Sequence, residues 1–268
     1  MNKNFEALPW DTEFFGVGIG RIHLNNARVD ELSATVHEAD ESGIRCLYWL
    51  VDCADLACSH SAAQFGFRLV DIRITFERPL GALGRPLGAL GHPLGALGRP
   101  LGTLGRPPGA VPSEDHPNLL IRAMTAEDFP ALAAIARGSH RDSRFFADGH
   151  FSAERCEALY EEWLRKSRTV LVGEVDGQAA GYCSCDVKEG GTGSIGLIAV
   201  DPRFRRVSLG KSLVEGALEF FRKSGMHTAT VVTQGQNSGS QRLYQRCGFV
   251  TKSIQLWYHR WIPESASL

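Results

Sequence analysis

Apolar residues recur along this chain with two different periods. Alternation and short apolar runs mark strands at "GRIHL" and "CLYWLVD" in the first eighty residues. Further strands are expected at "LLIRAM", "TVLVGEV", "QAAGYCSCDVKE", "GSIGLIAVDP", "TATVVT" and "FVTKSIQLWYHRWI". Spacings of three and four predict helices over 29–41, over 126–138 and through "SAERCEALYEEWLRKS", with a polar loop between the last two. In "SLGKSLVEGALEFFRKSG", Leu209, Leu213, Ala217, Phe220 and Phe221 form one helical stripe that Gly225 stops. "SHSAAQFGFRLVDIRITFE" reads as a short helix turning into a strand. The Asp-Gly pair at 176–177 folds one strand back on the next, so three consecutive strands should form an antiparallel meander. The order of elements is α/β.

One segment breaks the pattern. From Arg78 to Pro112 a seven-residue unit, RPLGALG, repeats with small variations. A coiled coil is excluded because each unit carries a proline and two glycines, and collagen because glycine is not at every third position. The composition suits a flexible or partly polyproline linker, with docking of a short peptide partner as the sharper alternative. It divides the chain into 1–77, the repeat over 78–112, and 113–268.

Composition narrows the function classes. With 268 residues and 43% hydrophobic content, the chain can build a proper core. A net charge of -1 gives no broad footprint for nucleic acid or an anionic membrane, so phosphate recognition would have to be local. "MNKNFEALPWDTEFFG" lacks the apolar core of a signal peptide and no run has the ~18 apolar residues of a membrane span, which leads us to expect a cytoplasmic protein. Seven scattered cysteines do not suggest a disulfide framework. Cys53, Cys58 and His60 match no common zinc spacing, so no metal is expected, and Cys183 and Cys185 share a strand face, which suggests packing.

Two stretches point to chemistry. After "GLIAVDP" the chain runs "RFRRVSLGKSL" directly into a helix. The unpaired amides of the first turn, the helix dipole, Arg205, Arg206 and Lys211 could cradle a phosphate. Further on, "NSGSQRLYQRCGF" places Asn237, Tyr244 and Cys247 on one helix face.

Together these stretches resemble the GNAT superfamily of acyl-CoA-dependent N-acetyltransferases, over residues 119–262. Arg205, Arg206, Val207, Ser208, Leu209 and Gly210 are similar to its phosphate loop, with serine where the first glycine is usual; a serine at a helix start can also cap it. The Asn237 to Phe249 stretch is similar to its Asn-x-x-Ala/Ser-x-x-x-Tyr-x-x-x-Gly-Phe signature. The resemblance implies a mixed, mostly antiparallel sheet flanked by helices, acetyl-CoA as cosubstrate, and CoA contacts from Ile198, Val200, Arg205 to Ser212 and Asn237. It implies that Tyr244 protonates the departing thiolate, since a phenol of pKa ~10 keeps its proton at neutral pH. The alternative for Tyr244 is a core aromatic.

The first 77 residues read as a partial copy of the same fold: aligning "QFGFRLVDI" with "RCGFVTKSI" sets Ala62 where Tyr244 stands. Within the superfamily, "LPWDTEFFGVGIGRI", "FGFRLVDIRI" and "SRFFADGHFSAERCEALYEEWLRKS" resemble acetyltransferases of dTDP-linked 4-amino-4,6-dideoxy sugars. That resemblance implies a nucleotide-sugar acceptor, with Arg144 pairing with its diphosphate, Phe145 and Phe146 packing on base or sugar, and Asp71 contacting or deprotonating the amine. A peptide N-terminus or other small amine as acceptor, a silent acyl-CoA-binding module, and a homodimer all stay open.

Overall fold

Ten strands join in a single sheet in the computed structural model, which describes residues 4–25, 28–81 and 118–263. In chain order the elements are β1 (Phe5–Ala7), α1 (Pro9–Phe15), β2 (Ile19–Ile22), α2 (Val29–Glu41), β3 (Cys46–Asp52), α3 (Leu56–Gln64) and β4 (Arg68–Pro79). There follow β5 (Leu119–Ala123), α4 (Phe129–Gly138), α5 (Arg144–Ala147), α6 (Ala153–Lys166), β6 (Val170–Val175), β7 (Gln178–Lys188) and β8 (Thr192–Val200). The chain closes with α7 (Leu209–Lys223), β9 (Thr228–Gln234), α8 (Ser238–Arg246) and β10 (Val250–Trp261). Among the described residues no helix is long and apolar enough to cross a membrane.

Across the sheet the order is β1-β2-β3-β10-β4-β9-β8-β7-β6-β5. β6, β7 and β8 form the antiparallel meander expected from the Asp-Gly turn. β4, which belongs to the first part of the sequence, lies between β9 and β10 of the last part and pairs antiparallel with both. The two edges are short strands, which limits the backbone left open to further pairing.

Alternation along the strands sorts side chains onto two faces. Leu47, Trp49 and Val51 of β3 pack with Tyr258 under α2 and α3, while Phe76, Val231 and Tyr244 pack under α7 and α8 on the same side. Cys46 and Tyr48 point the other way, against Phe145 and Leu159 of α5 and α6, and Tyr182 packs against Leu132 and Tyr160 farther along that side. All seven cysteines are free thiols, and Cys183 and Cys185 share one core.

One helix was not foreseen, and two expectations need correction. "PWDTEFF" is a helix, because Pro9 suits a first turn that needs no amide hydrogen and Gly16 closes it in the left-handed conformation. The stretch expected as a polar loop after α4 contains α5, held by burial of Phe145, which is 2% exposed. The sheet also continues past the start of the repeat: Arg78 and Pro79 end β4, the Arg78 guanidinium donates to the Cys247 carbonyl, and Leu80 is buried. The remainder of the repeat, 82–112, lies outside the described residues.

An ion network anchors the sheet edge to α4. Arg122 donates two hydrogen bonds to Asp128, of 2.6 and 2.7 Å, and a third to Glu174 at 2.7 Å. Donation from Arg122, together with the Thr125 amide and hydroxyl, overcomes burial and holds the Asp128 carboxyl down at about 2. Because the folded pKa is depressed, this stabilisation is complete above about pH 4 and is lost as pH falls towards 2. Asp128→Asn should therefore cost about 1–3 kcal/mol in denaturant unfolding at pH 7, and the difference from the parent protein should shrink at pH 2–3.

Candidate active site

β8 and β9 are parallel, but their pairing stops early. Thr192 to Ile195 align with Thr228 to Val231, and beyond that the strands separate while β8 stays paired with β7 as far as Val200. The cause is local. Pairing with β7 jumps between Ile195 and Ile198, and the Leu197 amide donates to the Ser184 hydroxyl at 2.7 Å instead of to a ladder carbonyl. A Cβ on Gly196 would sit 2.7 Å from that hydroxyl oxygen, so the bulge needs glycine there. Ile198 and Val200 thus have one strand edge with no β9 partner. Such an opening can take an extended polar chain that supplies its own amides and carbonyls.

The open end leads into the basic turn. Arg205, Arg206, Ser208 and Lys211 are exposed, Val207, Gly210 and Ser212 partly buried, and Leu209 buried in the core. Ser208 does not cap α7. It stands at φ +61°, its side chain makes no capping hydrogen bond, and Arg206 is also left-handed at φ +68°. This conformation costs about 1–2 kcal/mol for a non-glycine residue and leaves the first-turn amides of α7 without a side-chain acceptor. A Cβ on Gly210 would meet Leu243 at 3.4 Å, an ordinary contact.

α8 closes the same end. The Asn237 side chain accepts from the Ser240 amide at 3.0 Å, which caps the helix. Tyr244 is 2% exposed and packs against Phe76 and Phe249. Burial first, with nearby Cys183 and Cys247 adding and a Ser240 hydrogen bond opposing, raises its phenol well above the ordinary value. The hydroxyl therefore keeps its proton throughout the neutral range.

A polar cluster occupies the opposite face, where β2, β3, β10 and β4 run side by side. Arg21 aligns with Tyr48, Tyr48 with His259, Leu50 with Trp257 and Trp257 with Asp71, and Arg73 follows two residues along β4. Burial lifts the Asp71 carboxyl to about 7 and Asp142 adds to this, while the Ile72 amide and Arg144 oppose it. Burial also raises Asp11, against the pull of Arg144 and Arg21.

Arg144 is held from several sides. Its guanidinium lies 4.2 Å from the Tyr48 ring centre, 4.1 Å from Phe145 and 4.4 Å from Trp257, and one nitrogen is 2.8 Å from His259 Nε2. His259 Nδ1 is in turn 2.6 Å from Asp148. Burial lowers the His259 pKa to about 4, so the ring is neutral at pH 7, accepting from Arg144 and donating to Asp148. Burial would raise Asp148, but hydrogen bonds from His259, Trp261 and His150 outweigh it and hold the carboxyl well below its usual range. A neutral imidazole thus bridges two buried opposite charges. Phe145 is turned into the core against Phe15 and Phe151. Phe146 is half-buried, stacked on Tyr160 and covered by Arg141. Beside it, His140 bonds the Tyr182 hydroxyl at 3.0 Å and stacks on Tyr160, which fixes the turn between α4 and α5.

Cys53, Cys58 and His60 do not gather as a ligand set. Among the described residues only Cys46, Asp148 and His259 offer ligand-type atoms within 4.8 Å of one another. Both Asp148 oxygens and both His259 nitrogens take part in hydrogen bonds within the protein. Sequence reasoning missed Arg21, Arg73 and Trp257. The available signal was the alternation in "VDIRIT", where charged Asp71 and Arg73 interrupt an otherwise apolar strand at the same-face spacing.

Residues 132–249 match the model of the acetyltransferase (GNAT) family. A spore coat polysaccharide biosynthesis protein of Bacillus subtilis, SpsD, is 28% identical over 144 residues, 52% of this chain and 50% of that protein. The chain therefore spans half the length of that relative. A GCN5-related N-acetyltransferase of Sphaerobacter thermophilus has the same fold with a TM-score of 0.63 at 14% identity, covering 98% of this chain and 78% of that one. A tandem GNAT protein from the clavulanic acid pathway gives 0.57 at 14% identity, with coverage of 93% and 77%. The described chain has the fold of these GNAT proteins, and its 132–249 segment is similar in sequence to that family.

His259→Phe would keep the ring volume but remove the bridge between the buried charges. We expect a loss of about 3 kcal/mol in denaturant unfolding, whereas a loss below about 1 kcal/mol would mean that Arg144 and Asp148 do not depend on the imidazole.

Proposed function

We propose that this protein is an acetyl-CoA-dependent N-acetyltransferase whose acceptor is a primary amine on a nucleotide-linked 4-amino-4,6-dideoxy sugar. The observation that carries this reading is the separation of β8 from β9 after Ile195, with a basic helix start at one end and a buried, protonated phenol beside it. The arrangement suits a pantetheine arm lying along Ile198 and Val200, with its pyrophosphate at the turn from Arg205 to Ser212 and Asn237 at the arm's side. Acetyl-CoA would supply an activated acyl group.

The chain's own residues do the rest. The neutral acceptor amine bonds to the acetyl carbonyl carbon, the carbon–sulfur bond breaks, and Asp71, with a pKa near neutrality, accepts the proton that the nitrogen loses and passes it to solvent. Tyr244 donates its proton to the departing sulfur and is restored from solvent. Arg144 is already engaged by His259 and three rings, and it serves to shape the acceptor cleft and to set the field at Asp71. The name of the Bacillus relative, which places that protein in polysaccharide biosynthesis, supports a sugar acceptor.

The direct test is release of free thiol from acetyl-CoA in the presence of dTDP-amino sugars, peptides and small amines. Turnover with none of these would favour a silent acyl-CoA-binding module. Tyr244→Phe should lower kcat ~10²–10⁴-fold with acetyl-CoA affinity little changed; a near-parental rate with chemistry limiting would make the phenol structural. kcat/KM for the acceptor should rise with pH through about 7 as Asp71 loses its proton, and Asp71→Asn should abolish that limb. Gly210→Glu should weaken acetyl-CoA binding in calorimetry by placing an acid at the helix start; unchanged affinity would remove the turn from the site.

A further inference from the structure

We infer that Arg73 and Arg21, together with the Tyr48 hydroxyl, form an anion pocket that takes a phosphate of the acceptor one sugar ring away from Asp71. The inference rests on the acetyltransferase reading above for the role of Asp71. It stands separately on hydrogen-bond donors that the protein leaves unused.

Arg73 is half-buried in β4, yet no hydrogen bond or ion pair joins its guanidinium to another described residue. Its neighbours across the strands are Gln234 and Gln255, both neutral. Arg21 reaches Glu6 only at 3.7 Å through one terminal nitrogen, and its Nε is buried without a partner. The Tyr48 hydroxyl is buried and forms no well-directed hydrogen bond, although the Arg144 guanidinium lies beside its ring. Each of these groups is a donor. A buried N–H or O–H donor without an acceptor, such as Arg21 Nε or the Tyr48 hydroxyl, is costly, and an oxygen anion would supply the acceptor.

The groups share one face. Arg21 and Tyr48 are register partners, the Arg21 guanidinium stands 5.8 Å from the Trp257 ring centre, and Trp257 is the cross-strand partner of Asp71. Burial lowers the pKa of the Arg73 guanidinium, and the like charges of Arg21 and Arg144 lower it further. Arg144 is compensated by Asp148 through His259, whereas among the described residues the Arg73 guanidinium has no ion pair and Arg21 only the long one to Glu6. Asp71 and Arg73 are two residues apart on one strand, which separates their Cα atoms by ~7 Å. Side chains from two such positions on one strand face can reach different sides of a single sugar ring, an amine at Asp71 and a phosphate at Arg73. A nucleoside diphosphate sugar with an amine across the ring from its phosphate ester has this layout.

The test is calorimetric titration of thymidine diphosphate into protein already saturated with CoA, so that the turn at Arg205 to Ser212 is occupied. Binding is expected, and Arg73→Gln or Arg21→Gln should weaken it about ten- to a hundredfold while leaving CoA affinity as it was. Arg73→Lys should recover part of the loss. Succinate should bind far more weakly than the diphosphate. The inference fails if thymidine diphosphate does not bind CoA-saturated protein, if both glutamine variants bind it like the parent, or if succinate binds as well. Acetyl transfer that persists in any of those cases would leave the acetyltransferase reading intact. If instead CoA does not bind at all, that reading falls, and titration of thymidine diphosphate into the parent and Arg73→Gln proteins alone still decides the pocket.

Discussion

Two ladders on a single strand hold this molecule together. β4 pairs with β10 from Arg68 to Glu77 and with β9 from Arg73 to Pro79, so the first and last parts of the chain are joined by backbone hydrogen bonds as well as by side-chain packing. The Arg78 bond to the Cys247 carbonyl, between residues 169 apart, fastens the same seam. A strand with partners on both sides must satisfy all its backbone groups inside the sheet, and this fixes its register and therefore which side chains face the cleft. Asp71 and Arg73 owe their position to it. Shifting β4 by one residue would turn both into the core under α8 and bring Ile72 and Ile74 to the polar face.

The centre of the sheet also has an internal symmetry. In the order β3-β10-β4-β9, the units β3-α3-β4 and β9-α8-β10 are interleaved and run in opposite directions. The two helices are built alike. Asp55 accepts from the Cys58 amide as Asn237 accepts from that of Ser240, Gly66 and Gly248 are both left-handed, and Phe67 and Phe249 are both buried. Ala62, fully buried, stands in α3 where Tyr244 stands in α8. The same capping and turn chemistry makes the same local shape twice, with a methyl group in one place and a phenol in the other.

Most elements could be read from the sequence because they obey a period: α2, β3 and the meander fall where alternation and the Asp-Gly turn put them. α1 and α5 were missed because they are one or two turns long, too short for a 3.6-residue period to show, and are held by aromatic packing from distant segments. The Asn237 to Phe249 signature was legible because a cap, a phenol and a left-handed glycine each need a particular residue type. Arg144 was visible as a charge, but its role depends on His259 and Asp148, which the sequence separates by 111 residues and only the sheet brings together. The orientation of Phe145 was likewise undetermined, since an aromatic pair in a short segment must send one ring inward and pattern does not say which.

The position of β4 has a further consequence, for how the protein is made. On the ribosome this strand is complete at Pro79, whereas β9 starts at Thr228 and β10 ends at Trp261. At ~5–20 residues per second, roughly 150 intervening residues take on the order of ten to thirty seconds to synthesise. Throughout that interval a twelve-residue strand that is central in the finished sheet has both edges unpaired. Arg68, Asp71, Arg73, Glu77 and Arg78 break its apolar run, and charges at that spacing discourage the nascent strand from pairing with neighbouring chains. The residues that give the folded cleft its polarity would also act as gatekeepers during translation.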